Sequence, residues 1–128
     1  MPLYRCAMRE GLTSEEQRAR IAKDVVRIHC DVTGAPPSFV HAFFSETPAD
    51  ELPEGKVAFV LGSIRWGRTD EQKARIVSEL ADAVANVLDR EADQVGVATV
   101  DVPSKWIMEG GELLPEPGEE AAWLARHR

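Results

Sequence analysis

Four groups of side chains in this 128-residue chain are of types that do chemistry. The first is Pro2. A small second residue favours removal of Met1, which would leave a proline secondary amine at the start of a strand, both a nucleophile and a proton carrier. Its basicity falls where burial and nearby cations disfavour the charged form, and rises beside a carboxylate. The second is the Arg65-Trp66-Gly67-Arg68 run at a strand-to-helix turn. Two guanidinium forks at a helix start make a natural carboxylate site, joining bidentate hydrogen bonds to the helix dipole. The third is His29, beside Ile28 at the edge of an apolar helix face. It reads either as a satisfied core histidine or as a hydrogen-bond partner for a bound carboxylate. The fourth is Glu109, within WIMEGGELLP, which could orient or deprotonate a water if its segment folds over a pocket. Glu112, Glu116, Glu119 and Glu120 have similar claims. His41 and His127 do not stand at metal-ligand spacing with His29, so no metal site is expected.

The elements that must position these groups follow from an internal repeat at a constant offset of 55. SEEQRARIA from Ser14 reads against TDEQKARIV from Thr69, and the register holds without a gap to Pro48 and Pro103. Identical pairs include Gln17/Gln72, Ile21/Ile76, Val32/Val87 and Val40/Val95, with Ser14/Thr69 and Glu15/Asp70 among the conservative ones. Each unit spells strand, turn, helix, strand. The first strand is expected at Leu3 to Met8 with its counterpart at Val57 to Ile64, and the second strands at Phe39 to Ser45 and Val95 to Val100. Capping boxes are read at Thr13-x-x-Glu16 and Thr69-x-x-Gln72. Apolar positions then recur at helical spacing: Ile21, Val25, Ile28 and Val32, then Ile76, Leu80, Val84 and Val87. Gly34 ends the first helix. The turn matching the arginine pair holds Gly11 and Leu12, and the position matching His29 holds Val84, so these groups belong to one half only.

The expected fold is therefore α/β: two β-α-β units with right-handed crossovers, giving a four-stranded sheet with both helices on one face. The chain reads as a single domain, with a first unit over 2–48, a second over 57–103 and a C-terminal tail over 104–128. The tail is loop-like through Gly110-Gly111 and Pro115 to Gly118 and ends in a short helix carrying Trp123 and Leu124; it should close a pocket or line a subunit contact. The other sheet face keeps alternating apolar residues that need cover, most simply from other subunits.

Composition excludes several classes of function. With 44% hydrophobic and 29% charged residues the chain is of ordinary globular make-up. A formal charge of −7 and a pI near 5.0 count against general nucleic-acid or membrane binding. No apolar run approaches the roughly 18 residues needed to span a bilayer, and MPLYRCAMRE lacks a signal peptide's apolar core. Cys6 and Cys30 make neither a disulfide framework nor a zinc motif. The expectation is a cytoplasmic protein with reduced thiols and no cofactor.

With these residues in place, the chain resembles the tautomerase superfamily, and within it the cis-3-chloroacrylic acid dehalogenase-like group. The resemblance covers nearly the whole chain. It is carried by MPLY at the start, His29-x-x-x-Thr33-Gly34, Arg65-x-x-Arg68, and Met108-Glu109-x-Gly111 leading into Leu114-Pro115-x-Pro117-Gly118. It implies a homotrimer of fused β-α-β units in which Pro2 is the catalytic proline, Arg65 and Arg68 hold a substrate carboxylate with His29 assisting, and Glu109 activates water. The dehalogenase group adds a tyrosine for that water; the position is Ala98 here, and the single tyrosine is Tyr4.

The leading expectation is enol–keto tautomerisation of a small unsaturated 2-hydroxy or oxo carboxylate such as phenylenolpyruvate. The alternative is hydrolytic dehalogenation of a cis-3-haloacrylate to malonate semialdehyde. A ligand-binding or assembly module is the third, non-catalytic reading; it explains the repeat but not why all these residues fall on family positions.

Overall fold

The computed structural model describes residues 2–126. Met1 and the pair His127 and Arg128 lie outside the described residues, and with them the expectation that Met1 is removed and the reading of His127.

Helix α1 spans Glu15–Thr33 and α2 spans Asp70–Leu88, displaced by the 55 residues of the repeat. Each opens on a capping box. The Ser14 hydroxyl accepts from the Gln17 amide while Gln17 Oε1 accepts from the Ser14 amide, and Thr69 and Gln72 repeat the arrangement. This corrects the box expected at Thr13 and Glu16. Thr13 lies one residue ahead of the cap, and its carbonyl and hydroxyl accept instead from Arg18 at 2.8 and 3.0 Å. The two capping glutamines also tie the helices together. Gln17 Nε2 donates to the Val87 carbonyl at 3.4 Å, and Gln72 Nε2 to the Val32 carbonyl at 3.2 Å. Each glutamine thus satisfies an orphan amide at the start of its own helix and an orphan carbonyl at the end of the other.

Both helices stop in the left-handed region. Gly34 at φ 77° donates its amide to the Cys30 carbonyl. Its counterpart Asp89, at φ 54°, is the one non-glycine with positive φ among the described residues, a conformation that aspartate tolerates better than most residues.

The strands are β1 (Leu3–Arg9), β2 (His41–Thr47), β3 (Ala58–Arg65) and β4 (Val95–Val102), in the order β2-β1-β3-β4. The pairs β1/β2 and β3/β4 are parallel and the central β1/β3 pair is antiparallel, so two β-α-β units join into one mixed sheet. Strand β2 begins at His41, not Phe39, because Pro37–Phe39 winds into a 3-10 turn. The same turn recurs at Ala92–Gln94, ahead of β4.

Alternation on β1 sends Tyr4, Cys6 and Met8 into the core while Arg5 is exposed. Ala58, Val60 and Ile64 of β3 join them, and the expected stripes close over the cluster: Ile21, Val25, Ile28 and Val32 of α1, Ile76, Leu80, Val84 and Val87 of α2. Away from this cluster Phe43 and Val100 remain exposed, and Phe59 lies against Gly96, where a Cβ would stand 2.4 Å from its ring.

Beyond Pro103 a hairpin of β5 (Met108–Glu109) and β6 (Glu112–Leu113) leads to α3 (Glu120–Arg126). Ile107, Leu114 and Trp123 form a second small core against Phe39, Val102 and Leu124. The Trp123 indole N–H donates to the Leu113 carbonyl at 2.8 Å. No helix among the described residues is long and apolar enough to cross a membrane.

Replacing Gln72 by alanine removes the reciprocal cap and the bond to α1 together. It should lower unfolding stability by about 1–2 kcal/mol, read from a urea midpoint at unchanged slope. A loss below about 0.5 kcal/mol would show that the glutamine bridge contributes little.

Candidate active site

The α1–β2 connection, the end of β3 and the tail enclose a cavity of about 250 Å3. Pro2 enters it from the head of β1, His29 and Thr33 from the last turns of α1, and Arg65 and Arg68 from the β3–α2 turn. Leu114, Pro115, Glu120, Trp123 and Leu124 close it from the tail. Local geometry explains the rim beside α1: the Thr33 hydroxyl donates to the His29 carbonyl and accepts from the Ala35 amide, so the chain turns sharply at Gly34.

Of the site residues read from the sequence, Pro2, His29, Arg65 and Arg68 meet in this cavity. Glu109 is not among the residues lining it. It sits in the hairpin, paired across β5 and β6 with Glu112. Ala98 lies on β4 opposite Leu61, also away from the cavity lining. The carboxylate that lines it is Glu120.

Arg65 is 8% exposed and is engaged by the tail through two of its five N–H donors. Its guanidinium donates to the Pro115 carbonyl and to Glu120 Oε1, each at 2.8 Å. Glu120 Oε2 accepts the Gly118 amide at 2.8 Å. Burial opposes the Glu120 charge, but the backbone amides and Arg65 outweigh it and hold this carboxyl below the usual range. Arg68 is different. Its Nε is buried without a hydrogen-bond partner in the structure. Burial, and then the charge of Arg65, press its basicity down.

His29 is 2% exposed, with Nδ1 2.7 Å from the Tyr4 hydroxyl. Burial, reinforced by Arg68, lowers its pKa to about 4, so the ring is neutral at pH 7. Burial also pushes the Tyr4 phenol well above its ordinary value, so it keeps its proton. A phenol is the stronger donor and an imidazole nitrogen the stronger acceptor, so this contact favours the tautomer in which Tyr4 donates to Nδ1 and the ring proton sits on Nε2. That Nε2 is buried and has no partner in the structure. His29 is therefore a held hydrogen-bond donor rather than a base. The sequence reading missed Tyr4 as its partner. The available signal was strand alternation, which puts Tyr4 on the same side of β1 as the core residues Cys6 and Met8.

The family model described as "Putative oxalocrotonate tautomerase enzyme" matches residues 1–128. The chain belongs to the tautomerase superfamily. Among solved structures of this superfamily, a crystal structure of N1, a member of the cis-3-chloroacrylic acid dehalogenase (cis-CaaD) family, superposes with a TM-score of 0.87 at 34% identity, over 97% of this chain and 91% of that one. A fused 4-OT wild-type symmetric trimer, Q0, superposes with a TM-score of 0.78 at 27% identity, over 88% and 95% of the two chains. A 2-hydroxymuconate tautomerase of Pseudomonas sp. (strain CF600) is 39% identical over 46 residues, 36% of this chain and 73% of that protein. The tautomerase fold and likeness to the cis-CaaD-like members of the superfamily thus agree with the sequence reading.

Two outcomes test the state of His29. Between pH 6.5 and about 4 the unfolded chain takes up a proton at His29 that the folded chain refuses, so stability falls as pH falls through that window. At about pH 5 the loss from this group is about 2 kcal/mol. His29→Gln should shrink the Tm difference between about pH 7.5 and pH 5 accordingly, and an unchanged difference would remove the assignment. In nitrogen-15 spectra at neutral pH, His29 should carry its proton on Nε2, with Tyr4→Phe yielding a mixture of tautomers.

Proposed function

We propose that the chain is an enol–keto tautomerase acting on a small unsaturated 2-hydroxy carboxylate, through a Pro2 amine freed by loss of Met1. Neutral Pro2 takes the proton of the enol hydroxyl, the O–H pair closes the carbonyl at C2, and the C2–C3 π pair accepts the proton that Pro2 returns at C3. Arg68 holds the carboxylate, and His29 Nε2–H donates to oxygen as charge develops there.

The observation that carries this reading is the company Pro2 keeps. It is buried in a cavity with two arginines, and the carboxylate that lines the cavity is already bonded to one of them. Burial and cations both favour a neutral amine, and a neutral amine is a base. The hydrolytic alternative requires Glu109 as a water activator near a protonated Pro2. The likeness to the cis-CaaD family favours that chemistry, whereas Glu109 does not line the cavity and Ala98 has no hydroxyl to offer. The exposed side chains Phe43, Val100, Trp106, Met108 and Leu113, together with the trimeric 4-OT neighbour, support a homotrimer that covers them.

The test is ketonisation of phenylenolpyruvate, followed by ultraviolet absorbance, on protein whose mass confirms loss of Met1. Pro2→Ala should cost on the order of 100-fold or more in kcat. Arg68→Ala should act mainly on KM, raising it by roughly tenfold or more. Turnover that does not depend on Pro2 would sink the reading. Halide release from cis-3-chloroacrylate, in the absence of tautomerase activity, would move the assignment to the hydrolytic alternative. Neither activity would leave a binding module.

A further inference from the structure

We infer that Gln72 is a positioning residue for the cavity: its side-chain amide pins the end of α1 to the start of α2 and so fixes the spacing of His29 and Arg68. This rests on the reading of those two groups as the grip on a 2-hydroxy or 2-oxo carboxylate, Arg68 on the carboxylate and His29 on the C2 oxygen. It goes beyond that reading by assigning what holds them in register.

His29 belongs to the last turns of α1 and Arg68 to the turn ahead of α2, so no single helix fixes how far apart they stand. Gln72 joins the two elements one residue from the cavity lining on each side. Its Nε2 donates at 3.2 Å to the carbonyl of Val32, the neighbour of Thr33. Its Oε1 accepts at 2.9 Å from the amide of Thr69, the neighbour of Arg68. The Thr69 hydroxyl in turn accepts the Gln72 amide at 3.1 Å. The Val32 carbonyl is one of those that a helix end leaves without an intrahelical partner, and the Thr33 hydroxyl beside it donates to the His29 carbonyl at 2.7 Å. A short chain of bonds therefore runs from the turn of Arg68 through Gln72 to the turn that carries His29. Gln72 is not among the residues that line the cavity, so it acts on a ligand only through its neighbours. Groups that must meet one small molecule together lose much of their effect when their spacing drifts by about an ångström.

The repeat supplies an internal control. Gln17 makes the same cap with Ser14 and the same bridge, Nε2 to the Val87 carbonyl at 3.4 Å, at the opposite ends of the two helices. There Val84 takes the place of His29, and none of the residues beside Ser14 or Val87 lines the cavity. The two bridges should matter alike for stability, and only one adjoins the site.

Gln72→Met removes cap and bridge without adding charge. Gln72→Glu keeps an oxygen for the Thr69 amide but has no donor for Val32. The same two changes at Gln17 are the controls. Binding of phenylpyruvate and of 3-phenylpropanoate, which lacks the C2 oxygen, is measured by calorimetry. Wild-type protein should prefer phenylpyruvate by about fivefold or more, the worth of one buried hydrogen bond. Both Gln72 variants should bring that ratio to within about twofold. The Gln17 variants should keep the wild-type ratio, although Gln17→Met lowers the urea midpoint as far as Gln72→Met does. With phenylenolpyruvate, Gln72→Met should lose about tenfold in kcat at nearly constant KM, because the donor that meets developing charge is displaced while the carboxylate grip stays with α2.

A wild-type ratio in both Gln72 variants overturns the proposal. So does an equal loss in the Gln17 variants, which would mark a general loosening of the fold. A loss in Gln72→Glu while folded Gln72→Met keeps the ratio would mark the added charge and overturns it too; if Gln72→Met does not fold, Gln72→Glu against Gln17→Glu decides. Equal binding of the two acids to the wild type leaves no contact to position, and the proposal falls with the His29 reading. Binding of neither acid removes the carboxylate site and the proposal together. The expected binding pattern without turnover upholds the proposal and sinks only the tautomerase chemistry.

Discussion

A guanidinium that is 8% exposed has to be paired, and at Arg65 the partners are both supplied by the tail. An unpaired charge at this depth would cost several kcal/mol, so the end of β3 and the residues from Pro115 to Glu120 order each other. The second core then has a fixed seat: Trp123 meets the Phe39 ring edge-on at 5.7 Å, and Leu114 packs beneath it. Without that seat the cavity would have no wall opposite α1, because five of its lining residues come from the tail. One buried ion pair and its carbonyl partner thus turn a strand end into a closed site.

The halves around this site are alike in scaffold and unlike in chemistry. Helices, 3-10 turns and left-handed caps recur at 55 residues, while His29 faces Val84 in the register and Gly34 faces Asp89. The first strands break the register. Tyr4, Cys6 and Met8 are buried on β1, whereas Ala58, Val60, Gly62 and Ile64 are buried on β3, so the inward positions have changed parity relative to the offset. A strand alternates with period two, so a one-residue change in the connection to the helix flips which positions face the core. That change sits at the Arg65–Arg68 turn, the place where the second half acquires its cations.

Most of the scaffold was legible because it depends on local rules. The helical stripes and Gly34 follow from periodicity and left-handed geometry. The capping box of α1 was misread at Thr13 although the repeat itself pairs Ser14 with Thr69 and Gln17 with Gln72; two adjacent hydroxyls fit the same short pattern, and only the register separates them. Asp89 gave no cap signal because an aspartate adopts positive φ far less often than glycine does. The site was legible in part, since Pro2, His29 and the arginines stand at strand and helix ends whose places the repeat fixes. The tail has no repeat counterpart, and its acidic residues cannot be ranked by spacing. What brings Glu120 rather than Glu109 to the cavity is α3 docking through Trp123 and Arg65, a tertiary event.

The same field acts on every titratable group in the cavity. Burial and Arg68 together keep His29 neutral down to about pH 4, and an amine at Pro2 in the same enclosure meets the same two influences. For an imidazole they remove basicity and leave a donor, because Tyr4 already occupies the other nitrogen. In the proposed tautomerase, burial beside the arginines would act on a Pro2 amine in the same direction, against its charged form and towards an acceptor. On that proposal, donor and acceptor arise from one environment acting on two groups of different starting basicity. Glu120 completes that balance. Paired with Arg65, it would raise the basicity of such an amine less than an unpaired carboxylate would, while Arg68 Nε stays buried without a hydrogen-bond partner in the structure.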